Sequence, residues 1–332
     1  MPSRIHKKSV HHQMSLVVVL LLAAGATKAT DIELPAQPQK EATLSESLTS
    51  THRRFSSGIN TLSADIDNFF SRDTRETESL NSRVRLGYSA NYVESENPAY
   101  DVIFGAKIVL PKTQKKLQFI LFSDEEDLLD ATDTTRATAT DVHATDAVRS
   151  QKFNMGLRNV FRGSKTSGVV LDAGIKLRTS PDPFTRLSAR RTFFFSGFEL
   201  RMIERLYWFE SNGWGSSVII DLDRPLSIDW LFRFSNNGVV DHESGLWKLD
   251  HYLVLYQKLN DRTALGYKVG VTADDEPTSL ALETYYAAIN YRYAVLQDWL
   301  FFQATPRLTW PREKGFTDVP SILFKIEATF GG

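Results

Sequence analysis

The segment Ile322-Leu323-Phe324-Lys325-Ile326-Glu327-Ala328-Thr329-Phe330 sets apolar side chains at every second position and charged or hydroxyl ones between them, with Leu323 the one break. Successive side chains of a strand point to opposite faces, so this ribbon is greasy on one side and charged on the other. The same two-residue period governs the chain from residue 83 onward. Val84, Leu86, Tyr88, Ala90 and Tyr92 stand opposite Arg83, Arg85, Ser89 and Asn91, and Val169, Leu171, Ala173, Ile175 and Leu177 stand opposite Asp172, Lys176 and Arg178. Phe198–Trp208, Leu226–Phe234, Trp247–Leu255 and Tyr285–Tyr293 repeat the pattern. In all there are about fourteen such segments, most near the nine to eleven residues that a tilted transmembrane strand needs.

An even count returns both chain ends to one side of a membrane. The links also alternate in length: short at Pro111-Lys112-Thr113-Gln114, Asn260-Asp261-Arg262 and Gln297-Asp298, long at Asp124–Ala147 and Gly238–Gly245. Short periplasmic turns and long outer loops are the habit of bacterial membrane barrels. Pro306 falls inside the penultimate strand, where a residue without an N–H predicts a bulge or a shortened strand. Twelve strands is the alternative count.

Composition separates this architecture from others. Mean hydropathy is -0.26 and 24% of residues are charged, which excludes a bundle of membrane helices. Aromatic residues still reach 11%. Transmembrane barrels combine the two, because half of each strand faces the lumen and half faces lipid between aromatic belts. Trp208, Trp214, Trp247 and Trp310 lie near the expected outer strand ends. A soluble sandwich would share the alternation but turn its apolar face inward. A formal net charge of -1 gives no reason to expect a nucleic-acid partner.

The N-terminus points to export. Arg4, Lys7 and Lys8 precede the apolar run Leu16–Ala24, and Ala24-Gly25-Ala26 and Thr27-Lys28-Ala29 offer cleavage sites. These are the parts of a secretory signal peptide over residues 1–29, with cleavage after Ala26 or Ala29. The chain has 0 cysteines, as suits an oxidising compartment. Residues 30–81 form a periplasmic segment: a polar spacer, then Ile59, Leu62, Ile66, Phe69 and Phe70 at helical spacing. That stripe predicts a short amphipathic helix packed on the barrel mouth, in the lumen as a plug, or on the inner leaflet. Residues 82–332 form the barrel.

Two resemblances support this reading. The Ile322–Phe330 ribbon, closed by an aromatic, resembles the C-terminal signal of Gram-negative outer-membrane β-barrels, which implies recognition by their assembly machinery; the two glycines after Phe330 depart from that pattern. Asn68-Phe69-Phe70, Asp298-Trp299-Leu300-Phe301-Phe302 and Trp310-Pro311-Arg312-Glu313 resemble a group of uncharacterised Gram-negative outer-membrane proteins. The fold so defined is all-β, an antiparallel up-and-down transmembrane barrel with a short N-terminal periplasmic helix. The expected location is the Gram-negative outer membrane, with its lipids and lipopolysaccharide as surroundings.

On this register Arg83, Arg85, Lys107, Arg158, Lys176, Arg186, Arg201, Arg205, Asp229, Arg233, Lys268, Arg292 and Arg307 line the lumen, with Arg178 and Arg190 beside them and fewer acids opposite. Confined basic side chains favour anions. The leading expectation is therefore a passive or weakly selective pore for small anionic solutes. The alternative is a non-conducting barrel, shut by ion pairs across its strands, that acts as a structural or partner-binding protein with residues 50–81 as plug or adaptor. A lipid hydrolase comes third. His242-Glu243-Ser244 is similar to the His-x-Ser pair of outer-membrane phospholipases, but it sits in a loop and the next asparagine, Asn260, lies in the opposite turn. No catalytic residue, cofactor or metal site is assigned. Asp124-Glu125-Glu126-Asp127 reads as a solvated acidic loop.

Overall fold

In the computed structural model, Phe69 and residues 82–331 are described, apart from 114–115, 124–152, 165, 178–179, 242–244, 277–278 and 297–298. The signal peptide, the spacer, Asp124–Asp127, Arg178 and His242–Ser244 lie outside the described residues. Of the expected amphipathic helix, Phe69 alone lies within them, in helical backbone.

The alternating segments form β1 (Arg83–Val93), β2 (Ala99–Val109), β3 (Leu117–Phe122), β4 (Phe153–Gly163), β5 (Ser167–Leu177), β6 (Asp182–Phe195) and β7 (Phe198–Phe209). The second half comprises β8 (Gly213–Pro225), β9 (Trp230–Asp241), β10 (Trp247–Asn260), β11 (Thr263–Glu276), β12 (Ser279–Leu296), β13 (Leu300–Pro311) and β14 (Val319–Gly331). Each strand pairs antiparallel with its neighbours in sequence, and β1 pairs with β14 from Arg83 opposite Gly331 to Val93 opposite Ser321. Fourteen strands thus close into a barrel, and the twelve-strand alternative falls. Closure leaves no edge of unpaired N–H and C=O groups, the condition for a sheet in hydrocarbon.

The two faces are inverted relative to a soluble protein. Outward Val269 and Ile326 are 52% and 53% exposed, whereas inward Arg233, Arg292 and Glu327 are 0% exposed. Aromatic side chains gather at both rims. At the long-loop end Trp208 stands opposite Trp214, and Tyr285 packs on Phe316 at 5.5 Å. At the short-turn end Phe195 stacks on Phe198 at 4.6 Å and Trp299 meets Phe330 at 5.9 Å. Amphipathic rings at both ends of an apolar band are the mark of a membrane span.

Two expectations need correction. Residues 226–229 are a turn, not the start of a strand: the Leu226 and Ser227 N–H groups both donate to Trp230 O, at 2.9 and 3.3 Å, and β9 begins at Trp230. Ile228 is accordingly 84% exposed. Pro306 neither bulges nor shortens β13. Ala288 opposite Arg307 and Tyr291 opposite Ala304 keep one register, so the ladder to β12 simply lapses beside the proline, while Pro306 stays opposite Ile322 on β14. A missing donor removes a hydrogen bond without requiring an extra residue.

The barrel interior as candidate functional site

Register decides what the inward charges do. Arg158, Asp172 and Arg186 stand directly opposite one another on β4, β5 and β6, close enough for side chains to pair across strands. Arg158 Nε reaches Asp172 Oδ1 at 2.7 Å and Arg186 Nη2 reaches Oδ2 at 2.5 Å. Two arginines therefore share one carboxylate. The next strands repeat the device. Arg201 on β7 faces Asp221 on β8, with Nη2 to Oδ2 at 2.8 Å, and the Ser235 hydroxyl donates to the other carboxylate oxygen. Arg233 grips Asp223 with both Nε and Nη2 at 2.5 Å. Across β12 and β14, Glu327 accepts from Arg292 at 3.0 Å and forms an ion pair with Lys325 at 2.7 Å.

Apolar clusters lie at two levels of the same interior. Ile120, Phe122, Phe184, Tyr207 and Phe209 form one toward the long-loop end. Leu231, Tyr252, Val254, Tyr256, Ala264 and Tyr286 form another on the β9–β12 wall. Tyrosines lie flat there because glycines stand opposite them. A Cβ at Gly270 would sit 2.5 Å from Tyr286 Oη and 2.8 Å from Tyr252 Cβ, and one at Gly215 would strike the Tyr207 ring. Cations cover the ring faces: Lys268 Nζ lies 3.6 Å from the Tyr252 centroid and the Arg307 guanidinium 4.6 Å from that of Tyr286. The Tyr286 hydroxyl donates to Asp250 Oδ1 at 2.8 Å.

Phe69 joins this second cluster from outside the sheet. Its ring packs against the Leu231–Tyr286 group and meets Phe301, near the short-turn end of β13, edge to face at 5.9 Å.

Of the residues expected inside, Arg158, Lys176, Arg186, Arg201, Arg205, Arg233, Lys268, Arg292 and Arg307 are buried, none more than 9% exposed. Arg83, Arg85 and Lys107 are half-buried near the short-turn end. Asp229 is a correction: it lies exposed in the 226–229 turn, because β9 starts one residue later. What sequence reasoning missed is the apolar filling. Its signal was present in strands apolar at both parities, such as Leu117-Gln118-Phe119-Ile120-Leu121-Phe122 and Tyr252-Leu253-Val254-Leu255-Tyr256.

A closed barrel of fourteen antiparallel strands, apolar outside between two aromatic belts and charged within, is a transmembrane β-barrel of the Gram-negative outer membrane. Outer-membrane proteins are among the solved structures that this chain resembles. A loop L8 deletion mutant of OmpT, an outer membrane protein of Vibrio cholerae, shares 10% identity over 75% of this chain and 98% of its own, with a TM-score of 0.44. OprB of Pseudomonas putida shares 10% over 75% and 94%, with a TM-score of 0.47. The outer membrane channel DcaP of Acinetobacter baumannii shares 10% over 75% and 96%, with a TM-score of 0.41. No family model matches the sequence, and no curated protein matches it.

Proposed function

We propose that this barrel is closed and non-conducting at rest, with the segment preceding β1 as its plug. The observation that carries the reading is the burial of the interior: Arg201, Arg233, Arg292 and Glu327 are at most 2% exposed, where a water-filled channel would leave its lining wet. The docking of Phe69 on Phe301 and the tyrosine cluster supports the plug. The protein would then serve as a structural or partner-binding element of the outer membrane. The test is planar-bilayer recording of the purified, refolded protein. The expected trace is a baseline without steady open-channel current; a persistent conductance at low voltage overturns the proposal.

A second reading, a gated passage that favours anions, has one observation behind it. Buried inward bases (Arg158, Lys176, Arg186, Arg190, Arg201, Arg205, Arg233, Lys268, Arg292, Arg307 and Lys325) outnumber buried acids (Asp172, Asp182, Glu199, Asp221, Asp223, Asp250 and Glu327). If openings occur, the reversal potential in a salt gradient should lie on the anion side. Cation selectivity or none removes this reading.

A further inference from the structure

The outer wall is mostly apolar; polar side chains break it at Asn159 on β4, at the exposed Arg191 on β6 and, most densely, on β7–β10. On β1, β2 and β14 the outward positions are residues such as Leu86, Tyr88, Val102 and Ile326. On β7–β10 the alternation instead sends Glu204, Asn236 and His251 outward. Glu204 is the seventh residue of β7, between outward Met202 and Leu206, and its cross-strand neighbours are the short side chains Ala189 and Val218. Its side chain makes no hydrogen bond or ion pair with the described residues. His251 stands opposite Asn236 and holds it at 2.7 Å, Nδ1 to Oδ1. With Nδ1 donating to the amide oxygen, Nε2 is left for another ligand. Ionisable groups in a membrane span turn toward protein, not hydrocarbon.

We propose that the β7–β10 wall is the contact surface between two copies of this chain. The four strands lie side by side in the order β7, β8, β9, β10. A two-fold axis along the membrane normal, placed between β8 and β9, sets β7 of each copy against β10 of the other, as a self-complementary interface requires. Glu204 then meets His251 of the partner subunit, and the pair occurs twice. An acid without a side-chain partner and an imidazole whose Nε2 is open once Nδ1 holds Asn236 supply one another's partner. The short side chains Ala189 and Val218 let the second wall approach the carboxylate.

The chain's lack of cysteine makes the test clean. Val218→Cys, on β8 beside the proposed axis, is oxidised in outer membranes and compared with Val102→Cys on β2, far around the barrel. The expected result is a disulfide-linked dimer from the first and monomer from the second. Absence of a dimer, equal yields from both positions, or a cross-link to a protein of another mass overturns the proposal. Thermal stability of Glu204→Leu is the second arm. Against lipid, leucine raises the unfolding temperature. At the interface it weakens dimerisation at least tenfold without that gain, while Glu204→Gln, which keeps a hydrogen-bonding group, retains most of the dimer. A leucine variant that is more stable and equally associated contradicts the assignment.

Discussion

The Phe69 ring meets the Phe301 ring edge to face, with centroids 5.9 Å apart and planes at 85°, so a residue from outside the barrel sheet packs against its interior. Such an aromatic pair contributes about 0.5–1.5 kcal/mol beyond its buried area. Phe69→Ala should therefore shift the docking equilibrium of the preceding segment by roughly two- to tenfold toward release. Bilayer recordings would read this as more frequent openings, with the folded barrel otherwise intact on a gel. Unchanged silence would remove Phe69 from the closure.

Asp172 serves both Arg158 and Arg186. Asp172→Ala leaves two buried guanidinium groups facing each other, and losing one partner of a buried ion pair costs about 3–5 kcal/mol. Urea unfolding in lipid vesicles, followed by tryptophan fluorescence, should show a loss of that size. Replacing all three residues by apolar side chains of similar volume should recover most of it, because no uncompensated charge remains.

Gly270 lies between Tyr252 and Tyr286, with no room for a Cβ beside either. Gly270→Val drives a branched side chain into Tyr252 and Tyr286. Overpacking of this kind costs about 1–3 kcal/mol, and the barrel should lose its heat-modified gel mobility at a lower temperature. Gly270→Val with wild-type heat resistance would mean that the tyrosines are free to swing away.

The exterior can be probed at Val269, which is 52% exposed on β11. Val269→Arg sets a cation in the hydrocarbon and should cost about 2–4 kcal/mol near the bilayer midplane. A neutral effect in the same vesicle assay would mean that this wall meets water.

Strand count and facing were legible because the pleat forces a period of two, and a run such as Val84–Tyr92 can satisfy it in one way only. Which charge meets which was not legible. Asp172 lies between Arg158 and Arg186 only through the offsets of β4, β5 and β6, and nothing local in those strands states the offset. The apolar filling was hidden by the assumption that inward means polar, which Ile120, Phe122 and Phe184 violate. Pro306 misled because a missing donor was equated with a broken strand, whereas only its ladder to β12 lapses. The stripe that carries Phe69 predicts a docking face, but nothing in either segment names Phe301 as its contact.

The most direct measurement uses a single cysteine at Ser217, an inward position on β8 that is 2% exposed, in a chain otherwise free of cysteine. Folded Ser217→Cys is treated with a charged, water-borne thiol reagent and the modification rate is followed by mass. A closed interior leaves the thiol unmodified until the barrel is unfolded. Modification of the folded protein at the rate of a free thiol would show a wet lumen and contradict the account.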